Sequence, residues 1–201
     1  MSGPFDQYGP GDVRDLIAEY PLAWVTAAPS AGASDRETAP RASLLPLLGE
    51  YDGEGRLVSL LGHMARRNPL HARPDEPMAV TILITGPHGY VSPRQAEKPD
   101  WGPSWNYAQL VIDAELTFLP DETAPAITAL VETMEDGRWT TDQLGTRYVG
   151  LLGAIVGFRA RVRTLSATFK LGQDESRPVF EALCRNHPDA ALVRWMRRFA
   201  R

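Results

Sequence analysis

Apolar and polar positions follow two distinct periods along this chain. Within 12–19, Val13, Leu16 and Ile17 recur at helical spacing, Asp12 follows Gly11 as a candidate N-cap, and Pro21 ends the run. That pattern predicts a short helix. Residues 22–28 (LAWVTAA) read as a buried strand, and 29–40 (PSAGASDRETAP) as a mobile surface loop, being small, polar and bounded by prolines. The runs ASLLPLL (42–48) and RLVSLL (56–61) flank GEYDGEG, whose Asp-Gly pair predicts a hairpin. Pro46 lacks a backbone N–H, so it marks an edge, a bulge or a strand end. MAVTILIT (78–85) has a fully apolar centre, and 107–118 carries Leu110, Ile112, Leu116 and Phe118. Both predict strands.

From about 121 to 134 the period returns to helical, with Ile127, Leu130, Val131 and Met134 on one face. Gly145, Gly150, Gly153 and Gly157 then argue against a long regular helix. Phe158, Ala160 and Val162 alternate with Arg159, Arg161 and Arg163, the period of a half-exposed strand. Two more helices are predicted, at 178–186 and 189–199, the second with Leu192, Trp195, Met196 and Phe199 inward. Six strands with few long helices predict a mainly β protein, a small barrel with peripheral helices. Residues 1–201 are expected to form one domain.

Composition adds exclusions. Of 201 residues 43% are hydrophobic and 23% charged, enough for a real core. The 21 basic and 25 acidic residues give a net charge of −4, and the pI is near 5.6, which argues against a protein held on nucleic acid by bulk charge. No apolar run reaches the ~18 residues of a membrane span, and the N-terminal residues lack a secretion pattern. One cysteine, Cys184, excludes an internal disulfide and a cysteine-based metal cluster. The expected address is the cytoplasm. The four histidines are dispersed without zinc spacing, so no metal is expected.

Four clusters carry candidate chemistry. GHMARRNP (62–69) places His63, Arg66, Arg67 and Asn68 just past a predicted strand, where a guanidinium, an amide and backbone N–H groups can hold an anion. The same residues also fit a solvated basic turn. GPHGYVSP (86–93) reads as a strand exit, with Tyr90 and Ser92 on one side by alternation, or as a plain turn with a buried tyrosine. WGPSWNY (101–107) combines flat apolar surface with the amide of Asn106, which suits a planar heterocycle and equally a core corner. FKLGQ (169–173) contains Lys170, one of only two lysines.

In this order these clusters resemble the PaiB-type family, the FMN-binding negative transcriptional regulators. The similarity runs from about Phe5 to Leu192 and is most specific in GHMARRNP, GPHGYVSP, PSWNY and KLGQ, which is similar to the family's KLSQ. The resemblance implies an FMN-binding split barrel, six-stranded and of Greek-key type, in a homodimer with flavin near the interface. It implies that His63, Arg66 and Asn68 lie at the phosphate and ribityl end. Tyr90, Ser92, Trp105, Asn106 and Tyr107 would lie near the ring or the opposing subunit, with Lys170 and Gln173 closing the site. The chain departs from the pattern at Leu44, where the family has a histidine. It departs again at Gln95 and Ala96, where aromatics are common, and at Ser166 and Ala167, where acidic and glycine residues usually precede KLSQ.

Three functions compete at this stage. The first is an FMN-dependent oxidoreductase-like protein, in which the cofactor carries the chemistry. The second is a regulator without catalysis; no helix-turn-helix or zinc-finger pattern supports direct DNA contact. The third is a flavin-free barrel for another small ligand, suggested by Leu44 and Ala96.

Overall fold

The computed structural model describes residues 3–28, 41–72 and 75–200. The loop expected at 29–40 lies outside them, as does Arg201. Helix α1 (Pro10–Glu19) precedes β1 (Leu22–Ala27), β2 (Arg41–Tyr51), β3 (Leu57–Ala65), β4 (Met78–Val91) and β5 (Ser104–Phe118). Then come α2 (Thr123–Glu135), α3 (Arg147–Gly153), β6 (Ile155–Lys170), α4 (Arg177–Asn186) and α5 (Ala190–Arg198). The strands close into a barrel in the order β1-β2-β3-β6-β5-β4. The six-stranded barrel with peripheral helices is thus the one the sequence predicts.

Four strands run further than their composition suggests, β6 among them, which spans Ile155–Lys170 where alternation marks only 158–163. The ladder between β3 and β6 continues through Gly62↔Phe158, His63↔Gly157, Met64↔Val156 and Ala65↔Ile155, so half of GHMARRNP is strand. Gly62 is there for packing. A Cβ on it would sit 2.6 Å from Phe158 Cζ and 2.8 Å from Leu47 Cδ2. Likewise GPHGYV continues β4, and β5 begins already at Ser104.

The β2–β3 hairpin also differs in detail. The left-handed residue is Gly55 (φ 78°), and Gly55 N donates to Asp52 O at 3.0 Å. This is a type I turn closed by a left-handed glycine rather than a two-residue Asp-Gly loop. Asp52 Oδ1 accepts from Glu54 N and Arg56 N, both at 2.9 Å, which fixes the longer turn. Pro46 sits in the middle of β2 rather than at an edge, bulge or strand end: the ladder to β1 stops at its pair with Leu22 and the ladder to β3 begins at Leu47, so the missing N–H falls where one ladder gives way to the other.

By contact density the chain divides into two units, one of residues 10–84 and 111–165, the other of 1–9, 85–110 and 166–201. The first has a core of Val25, Leu47, Leu60, Ile82 and Phe158, joined by Leu16 and Ile17 of α1. Helix α2 approaches β6 at Gly157, whose N–H donates to Thr123 Oγ1 at 2.9 Å, and a Cβ there would stand 3.0 Å from Thr123 Cα, a tight contact with backbone. In the second unit Phe169 stacks on Trp195 and on Phe199 at centroid distances of 5.9 and 4.6 Å. Asp189 caps α5, its Oδ1 accepting from Ala191 N at 2.8 Å. Cys184 is buried in α4; burial and Glu181 push its thiol up against the opposing pull of Arg197, which suits packing better than reactivity.

Candidate functional site

Of the ten residues singled out in the sequence, His63, Arg66 and Asn68 belong to the first unit and the other seven to the second. In the first, β3 ends at Ala65 and a tight turn leads into a 3-10 helix at Pro69–Ala72. Most backbone donors of this turn are already used. Arg66 N donates to Ala154 O, Asn68 N to Ala65 O, His71 N to Asn68 O, and Leu70 N to Asn68 Oδ1. The expectation that backbone N–H groups receive the anion here therefore shifts onto side chains.

Asn68 is oriented without ambiguity. A backbone N–H can only donate, so the atom 3.0 Å from Leu70 N is the side-chain oxygen. The same Oδ1 accepts from Ser43 Oγ at 2.9 Å. With its acceptor committed to Ser43 and Leu70, Asn68 has only its NH2 left to offer a ligand, in a turn that also carries the exposed Arg66 and Arg67. Arg41 joins them. Its Nη1 donates to Pro69 O at 3.4 Å, and its Nε is buried without a hydrogen-bond partner. His63 is half-buried with Nδ1 unpartnered, and burial pushes its imidazole below the ordinary value, so it stays neutral near pH 7. Orphaned buried donors and acceptors of this kind mark places where a bound group completes the hydrogen bonding. The set is rich in donors and cations, which fits a phosphate. Ser43 and Arg41 escaped the sequence reading; no local pattern ties them to a turn 25 and 28 residues away.

In the second unit, β5 alternation splits one cluster. Trp105 and Tyr107 face outward, whereas Asn106 is 3% exposed and faces inward. Trp105 meets Tyr90 edge-on, with centroids 5.9 Å apart and planes at 63°. Both rings are about half exposed, a flat apolar corner. Asn106 Nδ2 has no partner and lies 3.5 Å from where a Cβ on Gly172 would stand, the place of the family's serine in KLSQ. Gly172 itself has φ 86°.

The remaining candidates serve local structure. Ser92 N donates to Gln95 Oε1 at 2.8 Å and Gln95 N to Ser92 Oγ at 3.2 Å, a reciprocal pair that holds this turn and gives a local role to a glutamine where the family has an aromatic. Gln173 clamps its own turn, accepting from Leu171 N at 2.7 Å and donating to Phe169 O. Lys170 Nζ donates to Ser104 Oγ at 2.6 Å.

Comparison with known proteins follows the same lines. Residues 2–164 match the family described as "Putative FMN-binding domain". Protease synthase and sporulation protein PAI 2 of Bacillus subtilis (strain 168) is 29% identical over 144 residues, 68% of this chain and 67% of that protein. The FAD and heme binding protein from Mycobacterium smegmatis superposes with a TM-score of 0.58 at 19% identity, over 82% of this chain and 72% of the other. The flavocytochrome Anf3 from Azotobacter vinelandii gives 0.59 at 13% identity, over 81% and 68%. At such identities the structural likeness is one of fold.

Proposed function

The chain belongs to the PaiB-type family of FMN-binding domains, and on that premise we propose an oxidoreductase-type flavoprotein whose cofactor phosphate is held by Arg66 and Asn68. One observation carries this reading: Asn68 commits its oxygen to Ser43 and Leu70, so that it has only its NH2 left to offer, two residues from the exposed Arg66. FMN, when bound, supplies the hydride or electron chemistry. The residues of this chain bind and orient it. Arg66 offers paired N–H donors to phosphate oxygens, Asn68 adds an amide donor, and neutral His63 brings a buried ring nitrogen without a partner.

Leu44, where the family has a histidine, is 44% exposed and lies on the opposite face of β2 from Ser43. The reading is tested by purifying the protein, recording flavin absorbance and identifying the released cofactor. FMN should bind more tightly than riboflavin, and Arg66→Ala should weaken FMN about tenfold while leaving riboflavin unchanged, the lower end of a charge-assisted bond at an exposed site. Equal affinity for FMN and riboflavin in wild type would overturn the phosphate assignment.

A further inference from the structure

We propose that the cavity between α1, β2 and the end of α2 is a small-molecule site of its own, which takes a compact apolar carboxylate with its charge on Arg14 and Tyr51. The inference is independent of the flavin reading. The cavity measures about 220 Å³, and all of its walls lie in the unit of residues 10–84 and 111–165. That is below the ~300–1,000 Å³ of sites for drug-sized molecules, so the occupant is small.

Helix α1 supplies one wall, on which Arg14, Ile17 and Ala18 share a face through i+3 and i+4 spacing. Strand β2 runs beside it in the opposite direction. Leu47 N donates to Pro21 O at 2.8 Å at one end, and Arg14 Cζ lies 5.2 Å from the centroid of the Tyr51 ring at the other. Met134 of α2 adds apolar surface. The cavity is therefore apolar where Pro21 meets Leu47 and polar where Arg14 meets Tyr51.

Two glycines make the polar end. A Cβ on Gly49 would stand 2.2 Å from Tyr51 Oη, so the phenol lies across that glycine, along its own strand. A Cβ on Gly55 would stand 2.5 Å from Arg14 Nη2, so the guanidinium rests against the β2–β3 turn. Burial pushes the Tyr51 phenol up, and Oη keeps a proton to donate near pH 7. Of the two charges that reach it, Arg14 acts more strongly than Asp15, so the field at this end is positive. Among the described residues Arg14 makes no ion pair, and no carboxylate lines the cavity. Thr133 Oγ1 already donates to Ala129 O at 2.8 Å. What remains is a cation and a phenolic donor at one end of an apolar slot. That combination recognises a carboxylate joined to a short hydrocarbon or a single ring.

The test uses benzoate as the probe and benzamide as its uncharged counterpart, followed by ligand-observed NMR on the full chain with and without added FMN. Benzoate should bind saturably, with a dissociation constant at or below about 1 mM, in both conditions. Benzamide should bind about tenfold more weakly, and Arg14→Met, which keeps the stem, should weaken benzoate about tenfold without changing benzamide. Tyr51→Phe should weaken benzoate about threefold. Met134→Glu, at a position 43% exposed, brings a carboxylate to the rim and should also weaken it, with an unchanged melting temperature. Arg66→Ala should leave benzoate binding as it is, which separates this cavity from the turn that holds Arg66. Flavin content read on the same samples reports that turn independently. Benzoate that fails to saturate, binds no better than benzamide, or binds Arg14→Met as well as wild type would overturn the proposal. So would a loss of binding confined to Arg66→Ala.

Discussion

Asn68→Asp isolates the donor that the phosphate reading depends on. The replacement keeps an oxygen where Oδ1 accepts from Ser43 Oγ at 2.9 Å and Leu70 N at 3.0 Å, so the turn is preserved. What changes is the outward atom, from a donor to part of a carboxylate. Losing a hydrogen bond to a charged partner costs at least ~1.5 kcal/mol. A carboxylate ~4 Å from a phosphate charge adds ~1 kcal/mol in a water-like dielectric and ~4 kcal/mol at an effective value of 20. The exposure of the neighbouring Arg66 favours the lower figure. Together these give about 2.5 kcal/mol, or roughly a sixtyfold loss of FMN affinity. Riboflavin has no phosphate and should bind as before. Asn68→Ala is the complementary probe. It strands Leu70 N and should lower folding stability by ~1–2 kcal/mol, whereas Asn68→Asp should leave the urea midpoint unchanged. Flavin fluorescence titrations and urea melts provide both readouts. If Asn68→Asp binds FMN within about threefold of wild type, the NH2 of Asn68 does not meet the phosphate and the reasoning fails.

Other consequences concern the barrel wall, its interior and the terminal helix. Burial raises the Glu50 carboxyl, but hydrogen bonds from Arg159 and Ser59 and the Arg159 charge outweigh it and hold it below the usual carboxylate range. A depressed acid stabilises the fold above its unfolded value and loses that contribution as pH falls through the folded one. Urea midpoints should therefore drop on acidification below the ordinary glutamate range, and Glu50→Gln should flatten that dependence; an equally steep curve in the variant would refute the assignment. Gly62→Ala should destabilise by ~1–3 kcal/mol through overpacking against Phe158 and Leu47, and a neutral or stabilised melt would contradict it. On α5, Arg197 pairs with Glu181 at 3.7 Å and Arg198 lies over the Trp195 ring at 5.0 Å, so few cations there are left for phosphates. With a net charge of −4, no sequence-specific duplex binding is expected near 150 mM salt. Anisotropy titration against the gene's own upstream region and a scrambled duplex checks this, and a specific nanomolar complex would favour the regulator.

Local pattern determined a great deal here. Apolar runs, the Asp-Gly turn signal and the alternation at 158–163 located the six strands, helical spacing located helices, and the motifs from GHMARRNP to KLGQ pointed to the family, because each signal depends on residues close in sequence. Strand extents were less legible, since glycine, histidine and proline in GHMARRNP and GPHGYVSP read as turns while ladder partners keep both segments extended. Facing was illegible at the point that mattered. Trp105, Asn106 and Tyr107 looked like one cluster, yet the pleat sends the asparagine inward and the rings outward. The oxygen of Asn68 is engaged by Ser43 on another strand, and the exposed row Leu44–Trp24–Leu83 is assembled from β2, β1 and a β4 whose Leu83 lies more than fifty residues beyond Trp24. A period of two states that side chains alternate. Which side faces the core, and which strands become neighbours, is fixed only when the barrel closes and long-range register sets in.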